Sequence, residues 1–241
     1  MKAKLILALL LSLFVSLGST AAEEKSWSVD TSVGFFSDYM FRGFNLYDGL
    51  SIQPTIGASY SFGDDLGSLG GTWWAHLPGE GDENGNSDDS EFDYTLSYDN
   101  SFGPFGVSTG FIWYTYPDSS VNATTEYYVS VAYDSVLNPT VSVYKDFDEF
   151  DSEYYELAFS ETLEWSALGD GFNVTPFVVF AFASSAEKVY ADDGFVHSTF
   201  GVSFDASLGD VTLSPTVNVT QAADDATEDE VWTGVTFGYS F

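Results

Sequence analysis

From Trp27 to Phe241 the chain alternates apolar with polar residues in runs of about eight to twelve, bounded by turn-forming residues. In Glu91–Asp99, Phe92, Tyr94, Leu96 and Tyr98 fall on one side of an extended strand, and Glu91, Asp93, Thr95, Ser97 and Asp99 on the other. The final run, Glu230–Phe241, sets Val231, Thr233, Val235, Phe237, Tyr239 and Phe241 against Trp232, Gly234, Thr236, Gly238 and Ser240. The same period recurs over Trp27–Met40, Leu50–Phe62, Ser68–Leu77, Gly106–Tyr116, Thr124–Asp134, Pro139–Lys145, Ser152–Glu164, Phe172–Ala183, Phe195–Asp205 and Asp210–Gln221, making twelve predicted strands. An apolar stripe backed by small and polar residues suits a wall with lipid outside and water inside. Lipid offers no partner for backbone N–H and C=O groups, so a sheet that spans a bilayer must close on itself. The pattern therefore predicts an all-β fold, a transmembrane antiparallel up-and-down β-barrel of about twelve strands, an even number like that of bacterial outer-membrane barrels.

The connections fit that topology. Short ones, Gly63–Gly67, Asn100–Phe105 and Ala206–Gly209, follow even-numbered strands. Longer acidic ones, Pro78–Ser90, Ser184–Gly194 and Ala222–Asp229, follow odd-numbered strands. A barrel with both termini in the periplasm keeps its tight turns there and its long loops outside. Phe41–Gly49 is left as the first outer connection. Pro54, Pro176 and Pro215 fall inside predicted strands, where each removes a ladder hydrogen bond, so bulges or shifted strand ends are expected there. Glu161 falls on the lipid-facing side of its strand, where a charge is unfavourable.

Ahead of the strands, Lys2 and Lys4 precede the apolar stretch Leu5–Leu17 and the small residues Gly18–Ala22. This is the layout of a secretory signal peptide, with an apolar stretch shorter than the roughly 20 residues of a spanning helix. Cleavage is expected after Ala21 or Ala22, leaving residues 1–22 as the signal peptide and 23–241 as the barrel. Loss of Lys2 and Lys4 takes the formal net charge from −31 to −33. Such a chain repels phosphate, which excludes nucleic acid as a partner and points to cations. Aromatic residues make up 18% of the chain, an excess that the two interfacial girdles of a barrel would absorb. With no cysteine there is neither a disulfide nor a thiolate metal site.

The stretch Ser37-Asp38-Tyr39-Met40-Phe41-Arg42-Gly43, followed by Leu50-Ser-Ile-Gln-Pro54 and Ala58–Phe62, resembles the opening of the TorF-family porins (the Gcw_chp family). Of that pattern Ser37, Asp38, Tyr39, Phe41, Arg42 and Gly43 are intact, the second motif is present loosely, and Phe44-Asn45 replaces the usual Ile-Ser. The resemblance implies an outer-membrane barrel assigned to passive transport and supplies no solute. The terminal Phe241 resembles the C-terminal signal by which outer-membrane proteins are recognised for insertion, which implies the assembly machinery as a partner.

The predicted inward faces are small and polar, so twelve strands should leave a narrow water-filled lumen unless a loop plugs it. Asp30, Asp38, Asp93, Glu126 and Glu156 make its wall negative, which concentrates cations and repels anions. Arg42 points inward near the outer rim, alone among acids. It is read either as the cation of an ion pair with Asp38 or carboxylates of neighbouring strands, fixing the first loop, or as a constriction residue for an anionic solute group. Trp74, Tyr114, Tyr116, Tyr128, Tyr144 and Trp232 also point inward, to stack a solute or to stiffen the barrel. In the loop Gly79–Glu91, Asp82, Asn84, Asn86 and Asp88 alternate like a Ca²⁺-ligand run, although Ser87 stands where an EF-hand has glycine. No cofactor is expected beyond a loosely held divalent cation. The only histidines, His76 and His197, stand beside no recognisable nucleophile motif, and no enzyme is expected. The expected function is a porin-like channel for passive diffusion of small hydrophilic solutes, favouring cations, with outer-membrane lipid and lipopolysaccharide around it. The alternative is a non-conducting barrel that acts as adhesin, receptor or envelope stabiliser through its acidic loops.

Overall fold

The computed structural model describes residues 26–63, 65–79, 90–165, 171–185 and 188–241. The predicted signal peptide and the Ca²⁺-like run Asp82, Asn84, Asn86 and Asp88 lie outside the described residues. Thirteen strands form one antiparallel sheet: β1 (Trp27–Phe41), β2 (Phe44–Ser61), β3 (Ser68–Pro78), β4 (Glu91–Phe102), β5 (Phe105–Thr115), β6 (Thr124–Tyr133), β7 (Thr140–Asp146), β8 (Glu153–Ser160), β9 (Leu163–Glu164), β10 (Phe172–Ser184), β11 (Gly194–Leu208), β12 (Val211–Ala222) and β13 (Glu230–Ser240). Each strand pairs with its sequence neighbour except β8, which pairs with β10, and β1 pairs with β13 from Asp30↔Ser240 to Phe36↔Gly234, which closes the sheet. β8 and the two-residue β9 both pair with β10 and act as one interrupted stave. The wall is thus the closed twelve-stave barrel that the alternation predicts.

The interruption has a chemical cause. Pro176 on β10 has no N–H to give, and it lies between the part of β10 that pairs with β8 and the part that pairs with β9. Pro54 and Pro215 sit in the same way, each at a gap in the pairing of its strand with one neighbour, β2 with β3 and β12 with β11. The strands run through all three prolines, so the expected strand ends are not there; only one ladder is broken at each. Glu161, placed by the sequence on the lipid face, lies in the β8–β9 break and accepts the backbone N–H of Leu137 at 2.7 Å. It caps the neighbouring tight turn, where Leu137 has φ +68°.

The outer wall is apolar. Ile56, Leu96, Val141, Val143, Val217 and Val219 are exposed along its middle. Toward the tight turns the rings pair as Trp27–Tyr60, Phe105–Tyr133 and Tyr239–Phe241, and toward the long loops as Phe111–Tyr127 and Phe182–Phe195. Two aromatic girdles around an aliphatic band are what a bilayer's two interfaces select, and the barrel is an outer-membrane one. The C-terminal Phe241 N–H completes the seam by donating to Val29 O at 2.9 Å.

The first hairpin departs from the expected plan. The sequence leaves 41–49 as a loop, yet β2 begins at Phe44 and the connection is the two-residue turn Arg42-Gly43. Both turn residues have positive φ, +45° and +87°, the type I′ condition that matches the twist of a hairpin. Beyond Phe36, β1 no longer pairs with β13, and before Ser51, β2 does not pair with β3. Residues 38–49 therefore leave the wall as a free-standing hairpin, and register shifts between Phe36 and Asp38 and between Tyr39 and Met40 bend it.

Candidate functional site

The bent hairpin crosses the mouth of the barrel. The six residues from Ser37 to Arg42, when extended, reach about 20 Å, against roughly 24 Å across a ring of twelve strands spaced about 4.8 Å and tilted about 40°. The tip accordingly meets the far wall. Arg42 donates from both terminal nitrogens to Glu126 of β6, at 2.7 and 2.8 Å. Its guanidinium carbon lies 4.7 Å from the ring centre of Tyr144 on β7 and 4.2 Å from that of Tyr154 on β8. These staves face β1 across the ring, so the partner of Arg42 is neither Asp38 nor a neighbouring strand, as the sequence suggested. The pair is almost closed to water, with 6% and 4% of the two side chains exposed.

Every intact residue of the family-like motif serves this hairpin. Ser37 sits in the first bulge, where its hydroxyl donates to Asp38 at 2.6 Å and accepts the Thr233 N–H at 3.0 Å. Asp38 also accepts from Asn45 on the returning arm at 3.2 Å. Tyr39 donates to Glu91 on β4 at 2.8 Å and stacks on His76 at 4.4 Å. Phe41 is buried in the aromatic cluster that lines the far wall. At Gly43 a Cβ would meet the His197 ring at 2.8 Å and Thr227 at 2.9 Å, so the close approach as well as the positive φ requires glycine.

Two outer loops fasten the tip from above. Tyr190 donates its hydroxyl to Arg42 O at 3.1 Å, and Glu228 gives its backbone N–H to Gly43 O at 3.0 Å. Asp224 ties these loops together by accepting the N–H groups of Ala191, Asp192 and Ala226 at 2.9, 2.9 and 2.8 Å. Burial pushes the Asp224 carboxyl up, but the three amide donors outweigh it and hold its pKa below the ordinary aspartate value.

Of the residues predicted to line the lumen, Arg42 and Glu126 form one contact, and Glu156 lies on β8 two residues beyond Tyr154, whose ring the guanidinium covers. Asp93 is buried two residues from Glu91 on the same face of β4. Asp38 belongs to the hairpin itself. Asp30 is removed from all of them, bonded to the Ser240 hydroxyl near the tight-turn end. Glu91 Oε1, Asp93 Oδ1 and the Tyr116 hydroxyl are buried without a hydrogen-bond partner among the described residues. The small inward residues do not simply leave space: Phe36 lies over Gly34 and Gly234, and Phe177 over Gly201.

Alternation alone did not single out Glu91, Tyr154 or Ser51, although each shares a face with a residue that was. Glu91 alternates with Asp93 and Tyr154 with Glu156. Ser51 lies 2.7 Å from His76 Nδ1, a serine–histidine contact invisible in the sequence because 25 positions separate the two. Both are buried beneath the hairpin, and Gln53 also donates to the serine hydroxyl at 3.0 Å. Tyr154 in turn meets His197 Nε2 at 2.9 Å. The described residues contain no group of three or more histidine and carboxylate side chains placed to hold a metal ion.

Solved structures share this architecture at low identity. The COG4313 outer-membrane channel from Pseudomonas putida F1 matches with a TM-score of 0.58 at 10% identity over 90% of this chain and 97% of its own. LpxR from Salmonella typhimurium matches at 0.56 and 10% identity, over 88% and 99%. The KdgM porin matches at 0.52 and 11% identity, over 89% and 99%. No curated protein matches the chain by sequence. The family model described as "Bacterial protein of unknown function (Gcw_chp)" matches residues 20–164, the hairpin and the Glu126 strand included. That span exceeds half of the chain, and the protein belongs to the Gcw_chp family.

Proposed function

We propose that the protein is a porin-like channel for passive diffusion of small hydrophilic solutes, that it favours cations, and that the inward hairpin sets its constriction. The observation that carries this is the inner wall. Glu91, Asp93 and Glu126 are buried inside a closed barrel, and the single guanidinium of Arg42 is the only cation that meets them among the described residues. A ring with excess carboxylate attracts cations and excludes anions, whereas a neutral opening would pass both. The channel works without catalysis or cofactor, by diffusion past the hairpin, with the acidic outer loops shaping entry. The outer-membrane channel from Pseudomonas putida and the KdgM porin share this architecture, which supports a conducting role for it.

The test is single-channel conductance of the refolded protein in a planar bilayer, with reversal potential across a KCl gradient. Discrete steps with a cation-selective reversal potential, weakened by Asp30→Asn combined with Asp93→Asn, are expected. A folded barrel that stays silent would refute the channel and favour the acidic loops as a binding surface.

A further inference from the structure

The seat that Arg42 occupies is more elaborate than a turn needs. Glu126 presents both carboxylate oxygens to the two terminal nitrogens, the fork-to-fork geometry that a planar guanidinium satisfies and an ammonium does not. Tyr114 donates to Glu126 Oε2 at 2.8 Å and fixes the carboxylate. Tyr144 and Tyr154 offer ring faces to the cation, and the Tyr154 hydroxyl is held by His197. All of these belong to the wall, on β5 to β8 and β11; only the guanidinium comes from elsewhere. It arrives on a free-standing hairpin, from a residue held at φ +45°, which costs an L-residue about 1–2 kcal/mol. Arg42 is also the only arginine of the chain.

From this geometry we infer that the wall pocket formed by Glu126, Tyr114, Tyr144 and Tyr154 is a guanidinium-binding site of the lumen, filled at rest by the chain's own Arg42. A small solute carrying a guanidinium group competes with Arg42 for the pocket. When it wins, the tip loses its anchor and the hairpin is free to leave the mouth. The seat is buried inside the barrel, so a competitor has to be small enough to enter past the hairpin, which an arginine on a folded partner is not. The pocket thereby names a solute class for the channel proposed above, and rests on that proposal for its consequence but not for its chemistry.

Methylguanidinium titrated calorimetrically into the refolded full-length barrel tests the site, with methylammonium as the control. Arg42→Ala empties the seat, and saturable binding of methylguanidinium is expected there. The wild type should bind at least about tenfold more weakly, because a tethered competitor acts at millimolar effective concentration. Arg42→Ala combined with Glu126→Gln should lose the binding, and methylammonium should bind Arg42→Ala at least about tenfold more weakly than methylguanidinium does. Arg42→Gln provides a second emptied seat should the alanine variant not fold, folding being checked by heat-modifiable gel migration. Absence of saturable binding in a folded emptied variant, or equal binding when Glu126 is also changed, overturns the inference. A barrel that binds methylguanidinium in this pattern but passes no ions refutes the channel and leaves the site. Conduction without binding does the reverse.

Discussion

Replacing Glu126 by glutamine removes one charge from the latch while keeping its shape. In the wild type two charge-assisted hydrogen bonds of 2.7 and 2.8 Å join side chains that are 6% and 4% exposed. Removing one partner of a buried ion pair costs about 3–5 kcal/mol, because the other charge stays buried and unpaired. Two effects reduce that figure here. The glutamine carbonyl still accepts one N–H, and release of the tip relieves the roughly 1–2 kcal/mol held at the left-handed Arg42. A net loss of about 2–3 kcal/mol from the docked hairpin is expected, a shift of about 30- to 150-fold in the ratio of docked to undocked states. The remaining ties, Tyr39 to Glu91 and Glu228 to Gly43, set how far that shift carries the population. Two assays read it. Open probability in planar bilayers should rise, and spin labels at Asp48→Cys and Asp118→Cys should report a broader separation across the mouth. The chain has no cysteine of its own, so the labels go only where they are placed. A folded Glu126→Gln barrel with unchanged open probability and an unchanged distance distribution would show that Arg42–Glu126 does not hold the hairpin.

Gly43→Ala should destabilise the docked tip by about 1–3 kcal/mol, since the new methyl meets His197 and Thr227 and the position has φ +87°; urea titration of the barrel in vesicles measures it. Tyr39→Phe removes the hydrogen bond to a second, already under-partnered carboxylate, and should cost about 1–3 kcal/mol in the same titration, with no cost if Glu91 finds water instead. The Asp224 tie has a defined pH dependence. Its folded pKa lies below the ordinary value, so its stabilisation is complete above about pH 4–5 and is lost as pH falls through the folded pKa. The melting-temperature difference between wild type and Asp224→Asn should therefore be flat near neutrality and shrink on acidification; a difference that grows as pH falls would reverse the assignment.

The wall was legible because its two solvents differ. Lipid and water impose a period of two on every stave, and short turns against long loops set which end is which. That logic reads a strand by the environment of each face, and it reaches as far as the two environments do. The prolines show its limit: Pro54, Pro176 and Pro215 keep the alternation, and only the pairing reveals that each interrupts one ladder. The first hairpin escaped for a related reason. From Asp38 to Phe41 four residues are buried in succession, so the alternation that marks a strand is lost toward the tip.

Once the two-faced pattern stops, specificity rests on single residues: a glycine that no Cβ can replace, a bulge at Ser37, and one guanidinium with one carboxylate to meet. Sequence spacing places Arg42 and Glu126 84 positions apart with nothing to connect them. The barrel's closure connects them, because it sets β6 to β8 opposite β1 and makes the span of the mouth comparable to the reach of six extended residues. A plug built this way needs no domain of its own. It takes a hairpin longer than its neighbouring staves, two bulges to turn it inward, and a polar anchor strong enough to offset the strain at its tip. The Glu126 carboxylate meets the last condition, and under the proposed reading the occupancy of its pocket decides whether the hairpin stays in the mouth.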